Sequence, residues 1–316
     1  MPRPLRIGAR SSPLPLAQAE HVRAALATHH PGISTEVVPV AAGERAAGEH
    51  PGLHAAAFSS AIEQALLAGE CDVAVRSMKD VPGVPLVRVG TRFAAYLARG
   101  DRRDALVNRT GLPLGRLAPG TQISTSSVRR AALLARSHPH LKVAPIRGTV
   151  DARLAALDAD VVSNLVLAAS GLEHLGQRHR VAEVLGIERM CPALGAGVVG
   201  LQCRDDDTKT ISLLAPLDDD RTRQEVTAER LLLHVLRGHC AAPLAGHCTT
   251  RPDGRLSLRG TVFAADGSRF LHSHQVGTDP GTLGTHVAHE LLSSGARDLT
   301  APEHVPSESS GSRLHV

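Results

Sequence analysis

The chain of 316 residues is long enough for two or three domains with a substantial core. Its formal net charge of +4 suits an anionic ligand but is too small to indicate nucleic-acid binding, and its aromatic content of 2% argues against base stacking. The five cysteines are scattered, and no secretory signal or apolar run of about 20 residues is evident, so we expect a cytoplasmic protein with reduced thiols and no membrane association.

The start of the chain has a pattern typical of a βαβ unit. Residues 4–9 predict a strand, and Ser12 before a proline predicts the start of a helix at 13–29. A second strand is expected at 35–40. A hydroxyl-rich turn between a strand and a helix directs backbone amides toward an anion, and Arg10 adds a positive charge there.

Asp80 is the first candidate site residue. A loop is expected at 41–57 and a helix at 58–67, and residues 72–75 then predict a short buried strand. Asp80 follows this strand closely, and ligands bind at the carboxyl ends of strands in open α/β sheets. An isolated aspartate in such a turn more often has only a capping role.

A second unit from about residue 104 repeats the strand–turn–helix pattern, with strands predicted at 121–124 and 141–146. Its turns carry several arginines, namely Arg129, Arg130, Arg147 and Arg153. Arg129 and Arg130 lie in the first helical turn, where their charge opposes the helix dipole. We therefore expect a bound anion, rather than helix stability, to explain this pair, although any one arginine alone is more often a solvated surface charge.

Near residue 248 the pattern of predicted elements changes from alternating strands and helices to neighbouring strands followed by a helix. The predicted order is a strand at 160–169, a helix at 171–186, a flexible crossing segment at 192–200, an amphipathic helix at 218–236 stopped by a left-handed Gly238, strands at 256–263 and 269–276, a helix at 282–294 and a disordered tail from 302. The glycines of the crossing segment allow close backbone approach.

Cys240 follows the amphipathic helix and precedes small residues that would let a bulky group lie near its sulfur. A thiol in a partly open loop beside Arg237 and His239 could have a lowered pKa, which favours the reactive thiolate. A small buried hydrophobic role is equally compatible with this segment alone. A metal site from His239, Cys240, His247 and Cys248 is a weaker alternative, because the spacing lacks the form of structural zinc sites.

A series of motifs in this order and spacing resembles the porphobilinogen deaminase (hydroxymethylbilane synthase) family, from Leu5 to about Leu299. The motifs are RIGARSSPLPLAQ, SMKDVP, TSSVRR, RGTVDARL, PALGAGVVGLQCR, TAER and GHCAAPLAG. The resemblance implies two periplasmic-binding-protein-like (type II) α/β domains around a cleft plus a small α+β C-terminal domain, in a monomer. Domain 1 would comprise residues 1–95 and 196–216, domain 2 residues 96–195 and domain 3 residues 217–300, before a disordered tail at 301–316.

The resemblance also implies the chemistry. A dipyrromethane cofactor would be attached covalently to Cys240, four porphobilinogen units would be added to it with loss of ammonia, and the linear tetrapyrrole hydroxymethylbilane would be released by hydrolysis. Asp80 would be the catalytic carboxylate, which suits a group that stabilises developing positive charge. The cofactor-binding residues would be Ser77, Lys79, Ser127, Arg129 and Arg130, and the substrate-binding residues Arg10, Ser12, Arg147, Thr149, Arg153 and His174, with no metal. Ser126 fits as a further neutral donor, and arginine suits the carboxylates of every pyrrole unit.

Several positions depart from the family's usual residues. Residues 52–57 stand where the family usually has a lysine- and glycine-rich segment. Single residues differ from the family's usual ones at Arg76, Thr149, His174, Ala196 and His239. A lost charged hydrogen bond costs about 1.5–3 kcal/mol. These departures indicate a divergent paralogue of the family. The alternative to an active deaminase is a non-catalytic or altered paralogue that binds a tetrapyrrole or polycarboxylate, but the presence of both Asp80 and Cys240 favours an enzyme.

Overall fold

Three β-sheets organise the chain in a computed structural model that describes residues 3–41, 61–238, 242–264 and 266–300. The strands are β1 (Leu5–Arg10), β2 (Thr35–Val40), β3 (Val73–Ser77), β4 (Thr91–Tyr96), β5 (Asp104–Asn108), β6 (Gln122–Ser124), β7 (Lys142–Ala144), β8 (Asn164–Ala168), β9 (Val181–Val184), β10 (Val199–Arg204), β11 (Leu244–Thr250), β12 (Leu256–Phe263) and β13 (Phe270–Gly277). The helices are α1 (Pro13–His29), α2 (61–67), α3 (Val128–Ser137), α4 (Val150–Asp158), α5 (Ala169–His174), α6 (Thr208–Leu214), α7 (Asp220–Val235), α8 (Pro280–Ser293) and α9 (Ala296–Thr300).

The first sheet has the strand order β2-β1-β3-β10-β4. Strand β1 is parallel to β2 and β3, whereas β10 is antiparallel to both of its neighbours. Apolar residues of β1, β3 and β10 form one core with α1, including Ile7, Val73, Leu201 and Leu26, which are buried. The return of β10 from much later in the chain ties two distant segments into one sheet.

The second sheet has the order β7-β6-β8-β5-β9. It resembles the first, because three parallel strands are again followed by an antiparallel strand, here β5. Helices α3 and α4 follow β6 and β7, so the amino ends of both helices lie at the carboxyl ends of parallel strands. This is the edge at which α/β proteins bind ligands.

The third sheet, β11-β12-β13, is antiparallel and packs on α7 and α8. Its core includes Leu232 of α7, Leu258 of β12 and Val287 of α8, all buried. The expected fold class, two α/β units and a small α+β unit, is confirmed by these sheets. The exact domain bounds given above remain a prediction, and the predicted loop at 41–57 and tail at 301–316 lie outside the described residues.

Four helices begin at an N-cap residue that makes the expected hydrogen bond. Ser127, Thr149, Asp219 and Asp279 accept hydrogen bonds from backbone amides three residues further on, as N-cap residues do. Ser12 occupies the N-cap position of α1 but makes no capping hydrogen bond, and the proline after it begins the helix.

Two predictions of where a helix ends are wrong. The helix predicted at 171–186 ends at His174, and residues Val181–Val184 form strand β9, because this segment pairs with the edge of β5. The left-handed residue after α7 is Arg237, with a φ of 52°, and not Gly238. Gly238 lies close to two side chains instead, since a Cβ there would lie 2.4 Å from a methyl carbon of Leu244 and 2.5 Å from one of Leu233, and both would have to move.

Strands β4, β10 and β11 were not anticipated from the sequence. Strand β10 is defined by its pairing with β3 and β4, which are distant from it in sequence, and β11 by its pairing with the neighbouring β12. The segment 192–200 crosses from the second sheet to the first, as expected, but its last residues already belong to strand β10 between β3 and β4.

Candidate active site

Asp80 stands just beyond the carboxyl end of β3, as predicted, in a short 3₁₀ helix, Met78–Asp80. The amide of Met78 donates to the carbonyl of Val198 at 2.9 Å, which fixes this turn against the segment before β10. The side chain of Asp80 is 47% exposed, and its Oδ2 lies 4.0 Å from Nη2 of Arg10. The catalytic candidate is therefore an accessible carboxylate on a rigid backbone.

Asp80 opens into a cavity of about 240 Å³ to which all three parts of the fold contribute. Six predicted site residues line it: Lys79, Asp80, Ser127, Arg129, Arg130 and Arg153. Ser126 and the apolar residues Ala193, Leu194, Leu233, Ala242 and Leu244 complete the lining. The structure thus brings a carboxylate, several cations and hydroxyl groups to one concave site, which is the usual form of a small-molecule site.

Cys240 lies outside the described residues, as does His239. The residues around that segment do contact the site. Leu233 of α7 lies before it, Ala242 and Leu244 lie after it, and all three line the cavity that contains Asp80. The segment carrying Cys240 is therefore bounded on both sides by residues of this cavity.

Arg129 and Arg130 have a protein partner that the sequence did not reveal. Nη2 of Arg129 lies 2.7 Å from one oxygen of Asp104, and Nη2 of Arg130 lies 2.6 Å from the other. Burial alone would raise the pKa of Asp104, but the two guanidinium groups outweigh it and hold that pKa well below its ordinary value. The expectation that only a bound anion explains the pair is therefore wrong, because a buried carboxylate from β5 pairs with both.

One carboxylate does not satisfy two guanidinium groups completely. Nε of Arg130 is buried and has no hydrogen-bond partner in the described part of the chain. Four cationic side chains line the cavity, against the carboxylates of Asp80 and the adjacent Asp104. A net positive charge remains, and the orphaned donor is compatible with a carboxylate-bearing ligand such as a dipyrromethane.

Lys79 and Arg153 supply the other two positive charges. Burial lowers the pKa of Lys79, an effect that the nearby carboxylate of Asp80 partly offsets. Burial, reinforced by Arg130, also lowers the pKa of Arg153. Nε of Arg153 donates to the carbonyl of Gly148 at 2.9 Å, which orients the guanidinium.

The hydroxyl groups near the cavity have structural partners. Oγ of Ser127 accepts from the amide of Arg130 at 3.4 Å, and Oγ1 of Thr149 accepts from the amide of Ala152 at 3.4 Å, so both cap helices. Oγ of Ser126 donates to the carbonyl of Ile146 at 2.5 Å. The capping hydroxyls of Ser127 and Thr149 still have a proton to donate to a ligand, whereas Ser126 uses its proton within the protein.

Ser77 and His174 line a separate cavity of about 10 Å³, which Lys79 also borders. Oγ of Ser77 donates to the side-chain oxygen of Gln18 at 3.0 Å, and the ring of His174 lies 5.8 Å from that of His21. Burial and then His21 lower the pKa of His174. Arg10, Ser12, Arg147 and Thr149 line neither cavity, although Arg10 approaches Asp80 and Arg147 is exposed at the turn before α4.

Sequence reasoning missed the buried charges of α7. Glu229 accepts from Nη1 and Nη2 of Arg99 at 2.8 and 3.0 Å, from the amide of Gly195 at 2.6 Å and from the amide of Cys248 at 2.7 Å. It thereby joins the third sheet to both segments that connect the first two sheets with each other. Charged residues on the apolar face of an amphipathic helix, at Glu225 and Glu229, were the available signal.

The metal alternative finds little support in the two ligands that are described. His247 and Cys248 are consecutive in β11, so their side chains point to opposite faces of the sheet. His247 borders a separate cavity of about 250 Å³, whereas Cys248 belongs to the apolar core, where burial raises its pKa. No group of three or more potential metal ligands occurs among the described residues.

The described part of the chain contains no helix long and apolar enough to cross a membrane. Two family models match the sequence: "Porphobilinogen deaminase, dipyromethane cofactor binding domain" over residues 5–212, and "Porphobilinogen deaminase, C-terminal domain" over residues 223–293. Among solved structures, the methionine-binding protein MetQ matches with a TM-score of 0.42 and 13% identity, over 70% of this chain and 92% of that one.

Curated relatives match almost the whole chain. Porphobilinogen deaminase 2 of Streptomyces coelicolor is 49% identical over 302 residues, which covers 94% of this chain and 96% of that protein. Porphobilinogen deaminase of Acidithiobacillus ferrooxidans is 43% identical over 304 residues, covering 95% and 98%. On this sequence similarity, which extends through both matched domains, the chain belongs to the porphobilinogen deaminase family.

Proposed function

We propose that this chain carries out the porphobilinogen deaminase reaction at the cavity of Asp80, with Cys240 as the attachment point of the cofactor. The enzyme is a transferase that condenses four porphobilinogen units in turn, with loss of ammonia, and then releases the linear tetrapyrrole hydroxymethylbilane by hydrolysis. The observation that carries the assignment is the shared cavity. Asp80 lines the same space as Ala242 and Leu244, which follow Cys240, and as Arg129 and Arg130.

The cofactor supplies the covalently held pyrrole to which each new unit is joined. In the proposed site, the thiol of Cys240 forms the thioether, and the basic side chains that line the cavity hold the acetate and propionate groups. Arg129, Arg130 and Arg153 suit this role because guanidinium groups bind carboxylates through two parallel hydrogen bonds. Lys79 adds a point charge beside Asp80.

Asp80 has the position and exposure that the chemical step needs. Loss of ammonia from porphobilinogen leaves a positively charged pyrrole species, and a carboxylate close to the pyrrole N–H groups stabilises that charge as it forms. A fixed, oriented carboxylate acts better than solvent because it needs no reorganisation during the reaction. The same group can accept the proton that leaves the ring when the new carbon–carbon bond is complete.

The predicted site residues that do not line the cavity of Asp80 have a separate proposed role in substrate binding. Arg10, with Ser12, lies at the amino end of α1, and Arg147, with Thr149, lies at that of α4. We assign these four, and His174, to the binding of incoming porphobilinogen. Helix amino ends attract anions, which supports this assignment for a substrate with two carboxylates.

We further propose that the enzyme acts as a monomer in the cytoplasm, without nucleic-acid or membrane partners. The described cysteines, Cys71, Cys191, Cys203 and Cys248, are all free, as is usual for a reducing compartment. Size-exclusion chromatography with light scattering tests the monomer directly.

The deciding experiment combines intact-mass measurement with turnover of porphobilinogen. The purified wild-type protein should carry one covalent dipyrromethane, consume porphobilinogen and form product that yields uroporphyrin after acid oxidation. Cys240→Ser should carry no adduct. Asp80→Ala should keep the fold, by circular dichroism, and lose nearly all turnover. A bare wild-type mass with no consumption of porphobilinogen would contradict the proposed function, and normal turnover by Asp80→Ala would contradict the role of Asp80.

A further inference from the structure

The segment that follows Asp80 is attached to helix α7 by its backbone carbonyls. Nη1 of Arg230 donates to the carbonyl of Val81 at 2.8 Å, and Nη2 of the same residue donates to the carbonyl of Leu86 at 2.6 Å. Nδ1 of His234, one turn further along α7, donates to the carbonyl of Gly83 at 2.8 Å. One face of α7 therefore holds residues 81–86 at three points.

The same segment is also joined to the end of α7 that leads to Cys240. The amide of Gly83 donates to the carbonyl of Gly238 at 3.1 Å. Gly238 precedes Cys240 by two residues in the sequence. A Cβ on Gly83 would lie 2.7 Å from the carbonyl oxygen of Leu233, so only glycine allows this approach. The backbone after Asp80 and the backbone before Cys240 thus form a continuous contact.

Arg230 is an unusual choice if its only purpose is to fill the core. It is 5% exposed, and no carboxylate forms an ion pair with it among the described residues. Burial lowers its pKa to about 10, so the guanidinium is still charged at neutral pH. A buried charge without a counter-charge is costly, and an apolar residue would pack at lower cost. What only arginine supplies is a rigid fork that reaches two carbonyls at once.

We propose that Arg230 is a positioning residue for the deaminase reaction. It holds residues 81–86 against α7, so the carboxylate of Asp80 keeps one fixed position relative to the end of α7 and Gly238. The proposal rests on the function proposed above. A displacement of about 1 Å in a catalytic group can lower a rate on the order of 100-fold, so a residue that does not touch the substrate can still set turnover.

Arg230→Met and Arg230→Lys test this role against a matched control in the same helix. Arg223 also joins α7 to a backbone carbonyl of the first sheet, with Nη2 2.8 Å from the oxygen of Ala94, but this contact is on β4 and not on the segment after Asp80. Arg223→Met should therefore lose stability while its kcat stays within about 3-fold of wild type. Arg230→Met should lower kcat on the order of 100-fold, and Arg230→Lys about 10-fold, with KM within about 3-fold and normal cofactor mass.

A double-mutant cycle distinguishes a positioning role of Arg230 from a general loss of structural integrity. If Arg230 acts through Asp80, Arg230→Met should not slow the residual addition of porphobilinogen any further in an Asp80→Ala background, followed as covalent adducts by intact mass. An equal fold-loss in both backgrounds, or a wild-type kcat in Arg230→Met, would overturn the proposal. Should Arg230→Met fail to fold, Arg230→Lys decides, since a full kcat there also overturns it. An inactive wild-type protein would instead contradict the proposed function.

Discussion

Gly195 packs so closely against Lys79 that a Cβ on Gly195 would lie 2.8 Å from the Lys79 amide nitrogen. Gly195 has a φ of 77°, and its own amide donates to Glu229 at 2.6 Å. The residue next to the catalytic candidate is therefore held by a connecting segment, and that segment is held by α7. This chain of contacts links the position of Asp80 to the joint between the parts of the fold.

Gly195→Ala should disturb the site through the backbone. The new methyl group would press on the backbone of Lys79, and alanine disfavours a positive φ, which costs about 1–3 kcal/mol. We expect lower unfolding free energy in urea and at least about 10-fold lower turnover of porphobilinogen. Gly186→Ala is the control, because nothing lies within 4 Å of the Cβ position there and its φ is ordinary. Equal behaviour of the two variants would show that the contact has no effect.

Asp104→Asn should leave two buried guanidinium groups without their carboxylate. Removing one partner of a buried pair typically costs about 3–5 kcal/mol, and urea unfolding should show a loss of that order. Asp101→Asn removes a partly exposed pair with Arg103 and should cost less than about 1 kcal/mol. A loss below 1 kcal/mol for Asp104→Asn would mean that Arg129 and Arg130 do not depend on Asp104.

Glu229→Gln should weaken the joint between the third sheet and the segments that connect the first two. The substitution keeps the shape of the side chain but places an amide where Arg99 and two backbone amides now find a carboxylate. We expect a loss of about 3–5 kcal/mol in unfolding free energy. The exposed Glu173, 3.7 Å from Arg178, is the matched control, and Glu173→Gln should change stability by less than about 1 kcal/mol. Similar losses of unfolding free energy in Glu229→Gln and Glu173→Gln would contradict the role of Glu229 in this joint.

His247→Leu should reduce the dependence of stability on pH. Burial, partly offset by Glu229, lowers the pKa of His247 from 6.5 to about 4. Between these values the unfolded chain binds a proton that the folded chain does not, so unfolding free energy falls as pH is lowered from 6.5 to 4. The effect of this one group is on the order of 3 kcal/mol across that window.

The measurement is urea unfolding at a series of pH values between 4 and 7. The slope of stability against pH should be smaller in His247→Leu than in wild type. His289 is exposed on α8, so His289→Gln should leave the slope unchanged. An unchanged slope in His247→Leu would show that folding does not lower the pKa of His247.

Structural features that depend on neighbouring residues were predicted from the sequence, whereas those that depend on contacts with distant residues were not. The start of α1 after Ser12 follows from residues within one turn, and this helix has the predicted bounds, Pro13–His29. The position of Asp80 beyond a short apolar strand is equally local. Strand β9 was predicted as a helix because its extended form depends on pairing with β5, which local preference does not contain.

The sequence by itself determined the family, the bounds of α1, the position of Asp80 after β3 and the set of basic side chains from which the site is built. Only the tertiary structure decided that Asp104 pairs with Arg129 and Arg130, that β10 inserts between β3 and β4, and that Arg230 holds the segment after Asp80. The physical reason is the distance along the chain over which each interaction acts. Caps and hydrophobic periodicity act over a few neighbouring residues, whereas a buried charge finds its partner only after the chain has folded and excluded water around both.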